Sequence, residues 1–181
     1  TVIAAGLAIR DPRERPDDQA GAADALHARF VDPTSDLLTM LNLWDYLEQA
    51  QSSQSSTRFR AQCKREFIHY LRVREWQDLV SQLRGVVDAP RTTSGRDGDA
   101  IHRSVLSGLI SHVGMLDPEE VSRTARAART SATTSHRRLP PYRGTRDSRF
   151  ALWPGSALVK ERPEWVVAAE LVETGRLWGR M

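Results

Sequence analysis

Apolar residues recur at helical spacing through the first half of the chain. A short apolar opening, Val2 to Ile9, is closed by Asp11, Pro12, Pro16 and Asp17. Residues 19–30 are alanine-rich, with Leu26 and Phe30 four apart on one face, and Asp32-Pro33 then forces a turn. Ser35 or Asp36 can cap the next helix, whose stripe is Leu37, Leu38, Leu41, Trp44 and Leu47. The Gln/Ser-rich stretch 49–56 ends it. Phe59, Cys63, Phe67 and Leu71 then follow at i, i+4 spacing as a third main helix. Trp76, Leu79, Val80, Leu83 and Val86 or Val87 mark a fourth. Each stripe can bury against its neighbours, which predicts a helical bundle.

The pattern changes after residue 87. Residues 88–99 read as a loop, with Pro90, Gly95 and Gly98, and Asp99 can cap a further helix carrying Ile101, Val105, Leu109 and His112. His112 reads as an end-of-helix or packing residue. Residues 118–141 are rich in Arg, Ser, Thr and Ala and end at Pro140-Pro141; they read as a mobile insertion in preference to a short helix. Arg149 to Trp153 and Trp165 to Val172 are β-prone runs, and Leu177-Trp178 starts a third after Thr174-Gly175. The predicted class is α+β, with helices over residues 1–112 and a small β part over 113–181.

Charge sharpens this division. Residues 1–90 carry a net charge of −2 and residues 91–181 a net charge of +5. A polyanion would therefore bind the second half. Its cations are almost all Arg, which suits phosphate forks and base stacking. Cys63 is the sole cysteine, so internal disulfides and Cys-rich zinc sites are excluded. It reads as core packing, and a reducing, cytoplasmic compartment fits. No apolar run approaches the roughly 18 residues of a membrane span, and no signal pattern opens the chain. The chain begins at Thr1, which points to a piece of something longer.

Familiar catalytic arrangements are missing. Neither Lys64 nor Lys160 follows a glycine, so no phosphate-cradling loop is present. The histidines are scattered. Pro154-Gly155-Ser156-Ala157 lacks the second glycine of a nucleophile elbow and reads as a turn. Glu170 and Glu173, three apart in a strand, face opposite sides and make no catalytic pair.

Two stretches carry a family resemblance. The first runs from Phe59-Arg60-Ala61-Gln62-Cys63 to Leu71-Arg72-Val73-Arg74-Glu75-Trp76-Gln77-Asp78-Leu79, with Ala4 to Pro16 and Phe30 to Trp44 upstream. It resembles the helical region that follows the motor of HrpA-type DEAH-box RNA helicases. The second, Phe150-Ala151-Leu152-Trp153-Pro154-Gly155-Ser156-Ala157-Leu158 with Trp165 to Arg180, resembles the OB-like barrel of the same helicases. The resemblance implies a helical "ratchet" region followed by a partial OB-fold-like antiparallel barrel. Both would pack on RecA-like motor domains and help form a channel for single-stranded RNA. It also implies that ATP and Mg are bound elsewhere in the parent helicase, with no cofactor and no ATP hydrolysis in this chain. Two features depart from the family pattern. Residues 118–141 form a longer and more basic segment than expected between the first two barrel strands. Gly175 stands where the family usually has Ser. An OB barrel needs five strands, and only three or four are visible, so truncation is expected.

Under this reading the candidate RNA-binding residues are Arg143, Arg146, Arg149, Lys160, Arg162 and Arg176 for phosphates, with Tyr142 as the aromatic for a base. Arg72 and Arg74 either face the RNA channel or pair with Glu66, Glu75 or Asp78. Trp153, Trp165 and Trp178 read as strand packing, and Trp44 and Trp76 as helical core. The competing reading is a non-catalytic protein-interaction fragment or degenerate helicase remnant. A DNA-binding helical regulator is disfavoured, because no helix-turn-helix pair with a polar reading helix is evident.

Overall fold

A computed structural model describes residues 1–87, 96–119, 121–122, 142–174 and 177–180. The chain divides into two compact units, one made of Thr1–Asp32 and Leu37–Gly95, the other of Pro33–Asp36 and Arg96–Met181.

The first unit is helical. Its elements are α1 (Val2–Ala8), α2 (Ala20–His27), α3 (Asp36–Ser52), α4 (Ser56–Arg65) and α5 (Tyr70–Val86). α3 continues through Ser52, beyond its expected end, because Leu47 and Ala50 still reach the core. Phe30, Leu43, Trp44, Phe59, Cys63, Val73, Trp76 and Val80 fill that core. The Trp44 and Trp76 rings meet edge-on at 4.9 Å, a geometry worth about 0.5–1.5 kcal/mol beyond area burial. The Trp76 indole N–H donates to the Val2 carbonyl at 3.0 Å, which anchors α1 on α5.

One expected helix is broken. The i+4 series Phe59, Cys63, Phe67, Leu71 does not run along a single helix: α4 stops at Arg65 and Phe67 takes φ 53°. The reason lies in the backbone. Segment 11–15 lies alongside 67–69, with Glu14 N–H donating to Phe67 O and His69 N–H to Pro12 O, both at 2.7 Å. These groups need partners when shielded from water, and a continuous helix would leave them without each other. Ile68 takes the buried position, and Leu71 is left 63% exposed. Val86, also expected on the apolar stripe, is 84% exposed.

The second unit opens with α6 (Gly98–Gly108), capped by Asp97, not by Asp99 as expected. The Asp97 carboxylate accepts the Ala100 N–H at 3.1 Å. The expected division fell after residue 112; the units part between Gly95 and Arg96, which places α6 with the strands. Ser35 Oγ hydrogen-bonds His102 Nε2 at 2.7 Å, so a short upstream piece belongs to this unit as well.

Six strands are described here, against the three or four expected. They are β1 (Val113–Leu116), β2 (Tyr142–Gly144), β3 (Arg149–Leu152), β4 (Trp165–Val167), β5 (Glu170–Glu173) and β6 (Leu177–Arg180). The order across the sheet is β4-β1-β2-β3-β6-β5. All neighbours are antiparallel except β3 and β6. The result is a six-stranded half-barrel whose edges are β4 and β5. The long run from Trp165 to Val172 is two strands, because the chain leaves β4 at Ala168 and starts β5 at Glu170. A short helix α7 (Leu158–Glu161) brings Leu158 and Val159 onto the core formed by Tyr142, Phe150, Leu152, Val166 and Ala168. Residues 154–157 form the expected turn, closed by Ser156 N–H donating to Trp153 O at 2.9 Å. Most of the 118–141 segment lies outside the described residues, as do residues 88–95 of the expected loop. No described helix is long and apolar enough to cross a membrane.

Candidate nucleic-acid interface

Alternation along two short strands sorts the candidate residues. β2 and β3 form a hairpin in which Tyr142 faces Phe150 and Arg143 faces Arg149. Side chains on successive strand residues point to opposite faces. The first pair is therefore inward and the second outward. The hairpin tip is Thr145–Asp147, where Arg146 and Asp147 both adopt left-handed backbone, φ 55° and 58°. Such conformations cost non-glycine residues energy. Thr145 Oγ1 fastens the tip by donating to the Ser111 carbonyl at 2.6 Å.

Tyr142, expected to stack on a base, is instead a core residue. It is 1% exposed, and its ring stacks on Phe150 at 5.9 Å. Its hydroxyl donates to the Pro163 carbonyl at 2.8 Å. Burial pushes its pKa up to about 12, against an opposing pull from Arg162. The neighbouring basic sequence suggested an open loop, but Tyr142 begins a strand and takes its inward parity.

The cations are accessible. Arg143, Arg146, Arg149, Lys160 and Arg162 are all exposed. Arg143 is steadied by Asp117, whose buried carboxylate accepts its guanidinium at 3.2 Å. The other carboxylate oxygen of Asp117 accepts the Glu119 N–H at 3.0 Å. Lys160 lies in α7, and Arg162 ends that helix in left-handed backbone at φ 49°. Arg176 lies outside the described residues. The hairpin thus brings Arg143 and Arg149 side by side and carries Arg146 at its tip.

Arg72 and Arg74 belong to the helical unit. Arg72 donates to the Asp11 carbonyl at 3.1 Å and approaches Glu14 at 3.9 Å. Arg74 lies 3.8 Å from Asp78, one of its expected partners, and 3.3 Å from the Gln77 side-chain oxygen. Glu66 is engaged elsewhere, by Arg29 and the Tyr46 hydroxyl.

Sequence reasoning missed two open aromatics in the second unit. Trp165 is 59% exposed and Trp153 is 44% exposed. Strand parity carried a usable signal, since Trp165 and Val166 must face opposite sides. Both residues are apolar, however, and pattern alone could not say which one faces inward.

Residues 101–181 match the oligonucleotide/oligosaccharide-binding (OB)-fold family, and the half-barrel is that fold. Across 99% of its length the chain is 43% identical to the ATP-dependent RNA helicase HrpA of Escherichia coli, of which it covers 13%. It is 42% identical over the same share to the HrpA homolog of Haemophilus influenzae, again covering 13%. A more distant similarity, 25% identity over 98% of the chain and 22% of the relative, is to the probable ATP-dependent RNA helicase DHX35 of Homo sapiens. The chain is thus similar along its whole length to a region of HrpA-type RNA helicases, and it spans about an eighth of the length of the HrpA relatives it matches.

Proposed function

We propose that this chain is an accessory RNA-binding and motor-docking module of an ATP-dependent RNA helicase. The observation that carries the reading is the grouping of exposed Arg143, Arg146, Arg149, Lys160 and Arg162 on the OB-fold unit. A single strand of RNA offers closely spaced phosphates, and arginine forks hold phosphate through paired N–H donors. Helicase relatives matched along the whole chain supply the context. ATP and Mg would be held by RecA-like motor domains outside this chain, which contributes substrate contacts and no hydrolysis. The docking half of the proposal is supported by Leu71 and Val86, large apolar side chains that the helical unit leaves in solvent.

The test is fluorescence anisotropy of a labelled single-stranded RNA titrated with the chain at several salt concentrations. Saturable binding whose logarithm falls linearly with log salt is expected, with a slope of about −0.7 for each phosphate neutralised. A folded, monodisperse chain that fails to bind even at low salt would favour the protein-interaction reading, with docking as its whole role.

A further inference from the structure

Helix α4 concentrates positive charge on a unit that is otherwise acidic. From Gln49 to Arg65 the chain carries no Asp or Glu, while α4 supplies Arg58, Arg60, Lys64 and Arg65. All four are exposed. Phe59 and Cys63 turn the opposite side of the helix into the core. At 3.6 residues per turn, Arg60 and Lys64 form one row on the outward face and Arg58 and Arg65 a second. Between the rows stand Thr57 and Ala61, both exposed and both small.

Ion pairing sets this helix apart. Elsewhere in the helical unit Arg13, Arg15, Arg29, Arg72 and Arg74 each lie beside a carboxylate. Among the described residues the four cations of α4 have none, and Arg10 and Arg84, the others without one, stand on other elements. Glu66, the nearest acid in sequence, is taken by Arg29 and the Tyr46 hydroxyl. Arg60 packs its guanidinium 4.9 Å above the Tyr70 ring, which steadies the side chain and leaves its charge uncancelled.

The arrangement costs the free helix stability. Arg60 and Lys64 are like charges at i, i+4, a repulsive spacing. Lys64 and Arg65 suit the C-terminal end of the helix, but Arg58 stands in the first turn, which holds no acidic residue, where the helix dipole opposes a cation. A ligand that brings carboxylates removes both penalties and takes up the guanidinium forks. Two features favour a short acidic segment over a nucleic acid. The face has no open aromatic for a base, since Phe59 is buried and Tyr70 lies under Arg60. Residues 1–90 carry a net charge of −2, which repels a polyanion reaching beyond the patch, whereas a segment about as long as α4 meets only its cations.

We propose that the outward face of α4 is a docking surface for an acidic segment of a protein partner, whose carboxylates pair with Arg58, Arg60, Lys64 and Arg65. The surface is independent of the RNA-binding function proposed above and uses none of its residues.

The experiment titrates a labelled ten-residue oligoglutamate with the whole chain, by fluorescence anisotropy at low salt and with rising salt. An uncharged Gly/Ser peptide of the same length is the control, and oligouridine and a duplex RNA serve as competitors. Saturable binding of the oligoglutamate that fades with salt is expected, with no binding of the control. The triple variant Arg58→Gln, Lys64→Gln, Arg65→Gln should weaken it about ten-fold, the combined effect of three exposed ion pairs. It should leave oligouridine affinity within about two-fold. Arg58→Lys with Arg65→Lys keeps the charge and should keep the affinity within about two-fold, whereas loss through a damaged fold would show as a lowered urea midpoint.

A wild type that fails to bind oligoglutamate at low salt would overturn the proposal. So would an unchanged affinity in the triple variant, or displacement of the peptide by oligouridine. Duplex RNA binding that the same three substitutions weaken would give the face to nucleic acid and overturn the partner class. A chain that binds oligoglutamate through α4 but no RNA would keep this surface and remove the RNA-binding function.

Discussion

The Phe150 ring occupies the space a side chain on Gly114 would need. A Cβ built on Gly114 would stand 2.8 Å from Phe150 Cε1, closer still to Cζ, and 3.2 Å from Tyr142 Cβ. Gly114 is paired with Gly144 across β1 and β2, so the ring lies over two adjacent positions without side chains. Gly114→Ala should therefore destabilise the OB-fold unit by about 1–3 kcal/mol, the usual cost of forcing extra volume into a packed core. Urea unfolding followed by circular dichroism measures this directly. An unchanged midpoint would mean that the ring yields and does not fix the β1–β2 approach.

This glycine shows why part of the fold was legible in sequence and part was not. Long helices announced themselves, because Leu37, Trp44 and Leu47, or Trp76 and Val80, repeat with the helical period and do bury. The strands β1 and β2 did not. Each has only three or four residues, and each places a glycine where an apolar residue would have completed the alternation. The Phe59–Leu71 series misled for another reason. Its spacing is helical, but the partners that break it come from residues 11–15, far away in sequence. The candidate site divided along the same line. Exposed arginines followed from charge, whereas burial of Tyr142 and exposure of Trp165 depend on strand parity, which requires knowing which face packs.

His27 gives the helical unit a dependence on pH. It is buried, and its ring N–H donates to the Glu66 carbonyl at 2.9 Å. Its pKa is lowered, chiefly by burial, although the bond to Glu66 opposes the shift. The unfolded chain then binds a proton more readily than the folded one. Stability should be at its full value above the ordinary histidine pKa of 6.5 and should fall as pH drops below it, towards the folded-state value. Urea midpoints between pH 8 and pH 5.5 should show this decline, and His27→Gln should flatten it. An equally steep decline in the variant would assign the effect to another group.

Cys63 should be inert in the native state. It is buried in the core of the helical unit, and its pKa is pushed up to about 11, first by burial and then by the nearby charge of Glu66. The thiolate is the reactive form. Ellman's reagent at pH 8 should label the folded chain far more slowly than the chain in urea, with the rate tracking local or global opening. Equal rates would mean that the α4 region opens readily around this residue.

Arg72 and Arg149 should respond to substitution in opposite ways. The Arg72 guanidinium is mostly shielded, with the Asp11 carbonyl as its hydrogen-bond acceptor and Glu14 nearby. That bond ties segment 11–15 to the start of α5, beside the backbone contacts that break the expected helix at Phe67. Arg149 is exposed on the outward face of the OB-fold unit. Arg72→Ala should cost about 1–3 kcal/mol of stability, the range for a hydrogen bond made by a charged group, and leave the affinity for single-stranded RNA within about two-fold. Arg149→Gln should leave the unfolding midpoint nearly unchanged, as surface substitutions usually do, while lowering RNA affinity. Measuring both quantities on both variants separates a fold-holding arginine from a ligand-holding one. Loss of RNA affinity in Arg72→Ala with an unaltered midpoint would place Arg72 in an RNA-facing role despite its contacts within the helical unit.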